Sequence, residues 1–420
     1  MKKVFSTALY IAAALFLAGC AKTVIPGPNE ANKRYFDAWM QINHPNVSPT
    51  GLGIYVIDDK EGSGPSVTDN GFALVDYRIS SLEGNISSYT DQETAKQLGD
   101  YSITDYYGPK FWATYKTTIQ AGVGDALYGM KVGGYRKVIV PSWLMTSKEF
   151  ATAQDYLDYY DEDDSPTYSS TVYEITVRDF TEDMNKWQID SVVRFFGNDK
   201  VMIAGTPADQ VFAGMSEADS VKTGFYYKQL AAPKDTTTFK KDTVVYINYT
   251  GKLLNGLVFD TNIERVAKDN NLYSSSKAYE PMQINWGEKY EDLTMTASKS
   301  DMIPGFAMTL WQMKAMEKGV GVFYSPYGYG VSGSGSSIPG YAPLIFEIEL
   351  VAKLGGYAVA VVEFEGVYYF IGADVDFIID NEKIHCESGD VLYLDKDTIY
   401  SAEGDFEAIT INVPAFGVIK

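Results

Sequence analysis

The chain contains 420 residues, 45% of them apolar, so it is long enough for two or three domains with buried cores and is not disordered overall. Its 32 tyrosines, together with many valines, isoleucines and threonines, favour strands over helices. The formal charge of −20 argues against a nucleic-acid partner, because an acidic chain repels a phosphate backbone.

The first twenty residues have the pattern of a bacterial export signal. Lys2 and Lys3 precede an apolar run that is too short to span a bilayer comfortably, and the run ends in the letters LAGC at Cys20. This ending resembles the lipobox of bacterial lipoproteins; an ordinary secretory signal that ends in cysteine is the alternative. We expect removal of residues 1–19 and lipidation of Cys20, which would anchor the protein to a membrane. Ala21, in place of a retention aspartate, favours the outer membrane, with the protein facing the periplasm.

The cysteines and histidines do not form a recognisable reactive set. If Cys20 is lipidated, Cys386 has no partner for an intramolecular disulfide. His44 and His385 lie far apart in sequence, and neither a zinc-ligand spacing nor a Ser–His–Asp set stands out. We therefore predict that the protein needs no metal and no cofactor.

Taken in chain order, the elements predict an internal duplication. A helix over residues 30–43 and a strand over residues 53–57 precede a hydrophobic strand that ends at Tyr77. The same order recurs with a helix over residues 184–196, a strand, and a hydrophobic strand that ends at Tyr249.

The pattern divides the mature chain into a tether, two related domains and a third region. The tether covers residues 20–30, and the related domains cover residues 31–182 and 183–355. Short strands separated by Gly, Asn and Asp predict a small all-β module over residues 356–420. This module weakly resembles half of a cupin barrel, with Tyr400 in place of the usual metal-binding histidine. The alternative is a β appendage that packs on the second domain or docks a partner.

The second related domain carries several motifs in a fixed order. Residues 248–251 read NYTG, and Phe259 and Asp260 follow in a hairpin. Residues 302–306 read MIPGF, and residues 324–330 read YSPYGYG before a glycine–serine loop. The loop leads to Ile338 and then to a closing strand with Phe346.

Over residues 239–354 this order resembles the FKBP-type peptidyl-prolyl cis-trans isomerases. The resemblance implies an α+β fold in each related domain, with an antiparallel sheet wrapped on a short helix. It implies an enzyme that rotates X–Pro bonds, whose barrier is about 18–20 kcal/mol. A dry aromatic pocket favours the twisted amide, so no nucleophile or acid–base pair is required.

The resemblance also assigns roles to individual residues. Phe306 forms the floor of the pocket, Asp260 biases its electrostatics, and the Ile303 amide and Tyr329 hydroxyl hold substrate carbonyls. The full catalytic group is Phe259, Asp260, Ile303, Phe306 and Tyr329. The residues expected to contact the substrate are Tyr249, Met282, Met302, Ile338 and Phe346.

The sequence departs from the family pattern in both halves. In the second domain, residues 262–281 and 288–301 are longer than usual and could restrict the substrate. In the first domain, we align Tyr89 and Thr90 with the Phe–Asp pair, and the sites of Ile303, Phe306 and Phe346 hold Gln120, Val123 and Tyr173, which predicts a degenerate site. The acidic run over residues 155–166 is interpreted as a solvated flap; a calcium site at residues 161–164 is the less favoured alternative.

Two functions follow from these observations. The first is a lipid-anchored peptidyl-prolyl isomerase that acts on proline-containing unfolded or exported polypeptides. The second is a non-catalytic client-binding chaperone or envelope assembly factor that uses the FKBP-like clefts. Acceleration of X–Pro exchange by the purified protein distinguishes the two.

Overall fold

The computed structural model of the chain describes residues 27–162, 168–233, 238–300 and 302–351. Further along it describes residues 360–361, 366–371, 375–379, 382–387, 390–395, 398–403 and 408–413. The expected signal sequence and the lipidation site at Cys20 lie outside the described residues. Within the described ranges, no helix combines the length and apolar character that a bilayer crossing requires.

The chain divides into two compact units. One comprises residues Met1–Ala95 and Gly108–Glu182, and the other comprises Lys96–Tyr107 and Asp183–Lys420. Residues 96–107 therefore group with the second unit, although they lie in sequence between strands of the first.

An antiparallel sheet forms the body of the first unit. Between residues 27 and 182, the helices are α1 (Pro28–Asn43), α2 (Gln92–Leu98), α3 (Ala121–Leu127) and α4 (Ala153–Glu162), and the strands are β1 (Tyr55–Lys60), β2 (Phe72–Ser81), β3 (Ile86–Tyr89), β4 (Lys110–Ala113), β5 (Tyr135–Val140) and β6 (Thr171–Thr181). The sheet order is β1-β5-β6-β2-β3, and β4 also pairs with β2. Helix α1 begins with a proline, which suits a first helical position, and buries Phe36 and Met40, one turn apart.

The interpretation of residues 155–166 as a solvated flap is wrong for residues 155–162, which belong to α4. Tyr156 and Tyr160 are spaced four residues apart, and the helix turns both side chains into the core. The Tyr160 hydroxyl accepts a hydrogen bond from the buried Ser142 hydroxyl at 2.9 Å. Residues 163–167, which include part of the alternative calcium site, lie outside the described residues.

The second unit repeats this architecture. Between residues 183 and 351, the helices are α5 (Met184–Phe195), α6 (Ala208–Val211), α7 (Glu264–Asp269) and α8 (Pro304–Gln312), and the strands are β7 (Met202–Ile203), β8 (Thr206–Pro207), β9 (Phe225–Ala231), β10 (Val244–Leu253), β11 (Val258–Thr261), β12 (Met282–Asn285), β13 (Thr294–Met295), β14 (Lys318–Phe323) and β15 (Leu344–Val351). The order β13-β12-β10-β15-β14-β9, with β11 paired to β10, repeats that of the first sheet with one added edge strand. This shared topology confirms the predicted internal duplication and the α+β fold.

Helix α8 lies against the second sheet and carries the site. Ile303 is its N-cap, and the helix begins at Pro304, whose fixed φ suits the first turn. Phe306 and Leu310 are buried on one face, in a cluster with Tyr249 and Phe346 from the sheet. The helix therefore packs Phe306 against Tyr249 and Phe346 of the sheet.

The described parts of residues 356–420 form short antiparallel strands, which confirms the all-β prediction. They are β16 (Ala360–Val361), β17 (Gly366–Ile371), β18 (Val375–Ile379), β19 (Glu382–Cys386), β20 (Val391–Asp395), β21 (Ile399–Glu403) and β22 (Ala408–Val413). They form two sheets, ordered β16-β21-β18-β19 and β20-β17-β22. The resemblance to half of a cupin barrel stays a prediction.

Candidate active site

Aromatic rings from four elements form the base of the site. The Phe306 ring lies edge-on to Tyr249 of β10 and to Phe346 of β15, with centroid distances of 5.6 and 5.0 Å. Phe259 of β11 meets Phe346 edge-on at 5.6 Å. Edge-to-face packing at these distances fixes ring orientations. The four rings therefore form a pre-ordered apolar wall.

A glycine makes room for this arrangement. At Gly251 of β10, a side-chain Cβ would lie 2.6 Å from the Phe259 ring and 3.0 Å from the Phe346 ring. Gly251 lies opposite Asp260 on one side and Phe346 on the other. The glycine of the NYTG motif thus allows two aromatic rings to meet across the strand.

Asp260 is held at the rim of the wall by two donors. The Tyr249 hydroxyl donates to Asp260 Oδ2 at 2.6 Å. The Lys277 ammonium donates to Asp260 Oδ1 at 2.7 Å and to the Thr261 carbonyl at 2.8 Å. The carboxylate is therefore fixed in orientation beside the aromatic rings.

Tyr329 and Ile338 lie between β14 and β15. We call residues 328–343 of this connection the flap loop. Tyr329 is partly exposed, whereas Ile338 is only 5% exposed and belongs to the same apolar cluster as Phe306. Ser334 and Ile338 form a β-bridge at the tip of the loop, and Gly333 and Gly335 there adopt positive φ. The loop thus has a defined hairpin rather than an irregular course.

The remaining predicted residues line the same cluster. Met282 at the start of β12, together with Met302 and Ile303 before α8, packs against the cluster and stays partly accessible. Ile303 is the N-cap of α8, where backbone N–H groups of the first turn lack partners within the helix. Eight of the ten predicted residues therefore belong to or pack against one apolar cluster. Asp260 is bonded to Tyr249 of that cluster, and Tyr329 lies close enough for the Asp260 charge to raise its pKa.

Burial raises the pKa values of two tyrosine hydroxyls at the site, those of Tyr249 and Tyr329. Burial, with a further contribution from the Asp260 charge, raises the pKa of Tyr249 far above its ordinary value. The pKa of Tyr329 is also raised, first by burial and then by Asp260. Both hydroxyls therefore remain protonated donors at neutral pH.

The first unit has the same frame with different side chains. Tyr77 occupies the position of Tyr249, and Tyr173 pairs with Ile79 as Phe346 pairs with Gly251. Ser88 lies opposite Ile79, so Ser87 and Ser88, and not Tyr89 and Thr90, stand in the places of Phe259 and Asp260.

The alignment of Tyr89 and Thr90 with the Phe–Asp pair was therefore wrong. The two hairpins bulge at the same point, between Ile79 and Ser80 and between Gly251 and Lys252, so the bulge does not separate their registers. The spacing of 11 residues from Tyr249 to Asp260 leads from Tyr77 to Ser88, and the error arose from matching the aromatic Tyr89 by residue type. Ile79 carries a side chain at the position where the second unit has Gly251. Trp112 instead lies 4.8 Å from the Tyr77 ring and edge-on to Tyr173.

Lys277 was missed from the sequence, although an internal repeat marks its position. Residues 92–109 align without gaps with residues 264–281, and the shared letters include A-K, Y-S and a closing Y-x-P. In each copy a lysine lies over a tyrosine ring, and two tyrosine rings stack at the ends of a short turn. We call residues 101–107 the first tyrosine turn and residues 273–279 the second tyrosine turn.

Comparison with known proteins assigns the family. The family described as FKBP-type peptidyl-prolyl cis-trans isomerase matches residues 235–351. The FK506-binding protein 1A of Aspergillus fumigatus is 33% identical over 125 residues, which cover 30% of this chain and 90% of that protein. This chain belongs to the FKBP-type peptidyl-prolyl cis-trans isomerase family. The predicted family and enzyme class are thereby confirmed.

Other similarities of this FKBP-family chain are partial. A probable FKBP-type peptidyl-prolyl cis-trans isomerase of Haemophilus influenzae is 30% identical over 140 residues, or 33% of this chain and 47% of that protein. The chain thus spans about half the length of that relative. Among solved structures, it is similar to FkpA from Escherichia coli, with 17% identity and a TM-score of 0.24 over 43% of this chain and 69% of that one. The family assignment rests on the sequence relatives.

Among the residues that the structure describes, no group of three or more His, Cys, Asp or Glu side chains could hold a metal ion.

Proposed function

We propose that the aromatic site of the second unit catalyses cis–trans isomerisation of X–Pro bonds in polypeptides. The observation that carries the proposal is the Asp260 carboxylate, held by the Tyr249 hydroxyl at 2.6 Å beside the rings of Phe306 and Phe346. A proline ring seated on these aromatic faces would leave its amide next to a fixed negative charge. The family membership of residues 235–351 supports the same activity.

The chemistry requires desolvation and electrostatics rather than bond making. A planar amide is favoured by resonance, and water bound to its carbonyl strengthens that resonance. Apolar walls that exclude this water favour the twisted amide. The Ile303 amide and the protonated Tyr329 hydroxyl would each hold a backbone carbonyl of the substrate, and Asp260 would act on the developing charge distribution of the rotating bond.

The proposed clients are unfolded or exported proteins in the bacterial envelope. The export-type N-terminus and the lipobox-like LAGC sequence motivate a lipid anchor at Cys20 and a periplasm-facing position at the outer membrane. The negative charge makes nucleic acid an unfavourable ligand. Labelling with a palmitate analogue, lost in Cys20→Ser, tests the anchor.

The activity is tested on the mature chain with Cys20→Ser, which is the reference for all variants below. We expect it to accelerate X–Pro exchange in a short peptide. Asp260→Ala should lower kcat/KM by about tenfold, or about 1.4 kcal/mol, because the charge acts from a partly exposed side chain and is partly screened. Tyr329→Phe should lower it by about fivefold, because one hydrogen bond to substrate is lost. The matched control is Ser88→Ala, at the equivalent position of the first unit, which should leave the rate unchanged. An exchange rate equal to the uncatalysed one would contradict the proposal.

A non-catalytic client-binding role is the second candidate, and the first unit motivates it. Its cleft keeps aromatic residues, Tyr77, Trp112 and Tyr173, but places Ser88 where a carboxylate would be. Such a surface can hold apolar segments without assisting rotation. If this role dominates, Trp112→Ala should weaken suppression of client aggregation while leaving X–Pro exchange unchanged.

A further inference from the structure

The first tyrosine turn, which groups with the second unit, is ordered by bonds within itself. We call Asp105 and Tyr106 its tip. The Tyr107 hydroxyl accepts a hydrogen bond from the Ser102 amide at 3.1 Å, and the hydroxyls of Ser102 and Thr104 are 2.8 Å apart. The rings of Tyr101 and Tyr107 stack with centroids 5.6 Å apart. The second tyrosine turn contains the same bonds, from the Ser274 amide to the Tyr279 hydroxyl. Internal bonds therefore fix the shape of the turn before it contacts anything else.

The tip of the first tyrosine turn binds the flap loop. The Tyr106 amide donates to the Ser336 carbonyl at 3.0 Å, and the Ser336 hydroxyl donates to Asp105 Oδ1 at 2.7 Å. Ser336 lies two residues before Ile338, inside the hairpin that Ser334 and Ile338 close. Backbone and side chain thus hold the tip on the part of the loop next to the pocket.

The Tyr106 side chain completes this contact. It packs against the apolar cluster that contains Phe306, Phe346 and Ile338. Ile338 and Phe306, which are expected to touch a substrate proline, are only 5% and 6% exposed. A substrate that uses these surfaces must therefore uncover them.

The two copies of the turn contact different parts of one site. In the second copy, Lys277 binds Asp260. In the first copy, the ungapped alignment places Asp105 at the position of Lys277 and Tyr106 at that of Ala278. The two copies of the turn therefore carry different side chains at equivalent positions. Lys277 contacts the Asp260 carboxylate, and Asp105 contacts the flap loop.

We propose that the first tyrosine turn is an internal lid that competes with substrate for the flap-loop side of the proline pocket. The proposal rests on the proposed isomerase function. In the closed form, the turn lies on the flap loop, and Ile338 and Phe306 are not available to a substrate. The apparent affinity for substrate is therefore lowered in proportion to the fraction of molecules in which the turn is released. Removing the tip should raise kcat/KM through tighter binding, with kcat unchanged.

The test compares variants of the tip in the full mature chain. Asp105→Ala removes the acceptor of the Ser336 hydroxyl, and Tyr106→Ala removes the packed ring. The matched control is Ile103→Ala, whose side chain lies in the same turn and is 55% exposed. The readouts are kcat/KM for an Ala-Leu-Pro-Phe peptide, its Kd by NMR titration, and amide hydrogen exchange of the flap loop.

We expect each tip variant to raise kcat/KM and tighten Kd by roughly three- to tenfold, the factor that loss of one or two net hydrogen bonds from the closed form produces. Exchange at Ile338, whose amide donates to the Ser334 carbonyl, should become faster. Ile103→Ala should match the reference. These results together would support the lid.

Two results would overturn the lid proposal alone, a third would overturn only the isomerase function, and a fourth would overturn both. If flap-loop exchange accelerates but neither kcat/KM nor affinity rises, the turn is released without uncovering the site. If flap-loop exchange does not change, the turn does not hold the loop. If no chain catalyses exchange but the tip variants bind the peptide more tightly, the lid stands and the isomerase function fails. Absence of both binding and turnover in every chain would overturn both proposals.

Discussion

At the scale of single residues, Asp260 links the aromatic wall to the inserted segment. Its two oxygens are bound by different partners, Tyr249 from the sheet and Lys277 from the second tyrosine turn. The Tyr249 contact is shielded by burial, whereas the Lys277 contact joins side chains that are 40% and 46% exposed. Solvent screens such an exposed pair, so its contribution to stability is small.

We expect Lys277→Met to change the free energy of unfolding by less than about 1 kcal/mol, because the pair is exposed. It should raise kcat/KM for the tetrapeptide by about twofold, because the field of Asp260 at the pocket is then less compensated. Urea unfolding and the exchange assay measure the two effects. The control is Lys268→Met, which removes another lysine of the same insertion. The Lys268 ammonium lies over the Tyr273 ring. A tenfold fall in kcat/KM, as for Asp260→Ala, would show that Lys277 is needed to position the carboxylate.

Most pocket residues could be placed from the sequence, because motif spacing fixes them relative to strand ends and to the start of α8. Lys277 could not, because it lies in a segment that the family pattern does not cover. The Ser87–Ser88 alignment was missed for another reason: the spacing from Tyr77 gives it, but neither serine resembles the Phe–Asp pair in residue type, whereas Tyr89 is aromatic. Spacing, and not residue type, therefore identifies the equivalent positions of the two copies.

At the scale of elements, close packing of α8 on β14 positions Phe306. A Cβ at Gly321 of β14 would lie 1.9 Å from the Thr309 hydroxyl oxygen. Thr309 is fully buried and donates to the Gly305 carbonyl at 2.7 Å, so its side chain has little freedom to move away. The helix can approach the strand only because Gly321 has no side chain.

Gly321→Ala should therefore lower the free energy of unfolding by about 1–3 kcal/mol, as overpacking of a buried contact does. Urea unfolding of the mature chain measures it. The control in the same unit is Gly197→Ala, where a Cβ would meet only the Arg194 carbonyl oxygen at 3.7 Å. That change should be neutral or stabilising by less than about 1 kcal/mol. Equal stability of the two variants would mean that α8 does not pack on β14 this closely.

The duplicated segment around α2 and α7 shows what sequence periodicity misses. From the sequence, residues 262–281 were interpreted only as a longer than usual segment, and no prediction was made for residues 92–109. Both helices are short, and the tyrosines that follow them lack helical or strand spacing. The structure of the turns comes instead from hydroxyl–amide bonds and ring stacking. A direct self-alignment of residues 92–109 with 264–281 reveals the repeat without any structural information.

At the scale of the whole molecule, two units share one sheet topology but differ in their sites. The second keeps a carboxylate among aromatic rings. The first buries Tyr173 at the position of Phe346, with the Tyr173 hydroxyl 3.8 Å from the Met145 sulfur. Duplication followed by loss of one site thus explains the repeated frame and the unequal chemistry.

Buried tyrosines make stability depend on alkaline pH. Burial raises the pKa of Tyr173 to about 12, above the value of about 10 in an unfolded chain. Its contribution is therefore fully present below pH 10 and is lost between about pH 10 and 12, as the unfolded state releases the proton first.

The stability of the reference chain relative to Tyr173→Phe should be constant from pH 7 to 9.5. It should then fall by about 1.4 kcal/mol per pH unit between pH 10 and 12. Urea unfolding across this range, followed by circular dichroism, measures the difference. A difference that stays constant through pH 12 would mean that the Tyr173 hydroxyl is accessible to water in the folded state.

We propose that only the second of the two equivalent sites catalyses proline isomerisation. The most direct test is the X–Pro exchange rate, by NMR exchange spectroscopy, of two matched variants, Tyr249→Phe and Tyr77→Phe. Tyr249→Phe removes the hydroxyl that orients Asp260 and should lower kcat/KM by roughly three- to tenfold. Tyr77→Phe should leave the rate within about 20% of the reference, because the Ser88 position offers no carboxylate to orient. Equal losses in both variants, or a loss confined to Tyr77→Phe, would contradict the account.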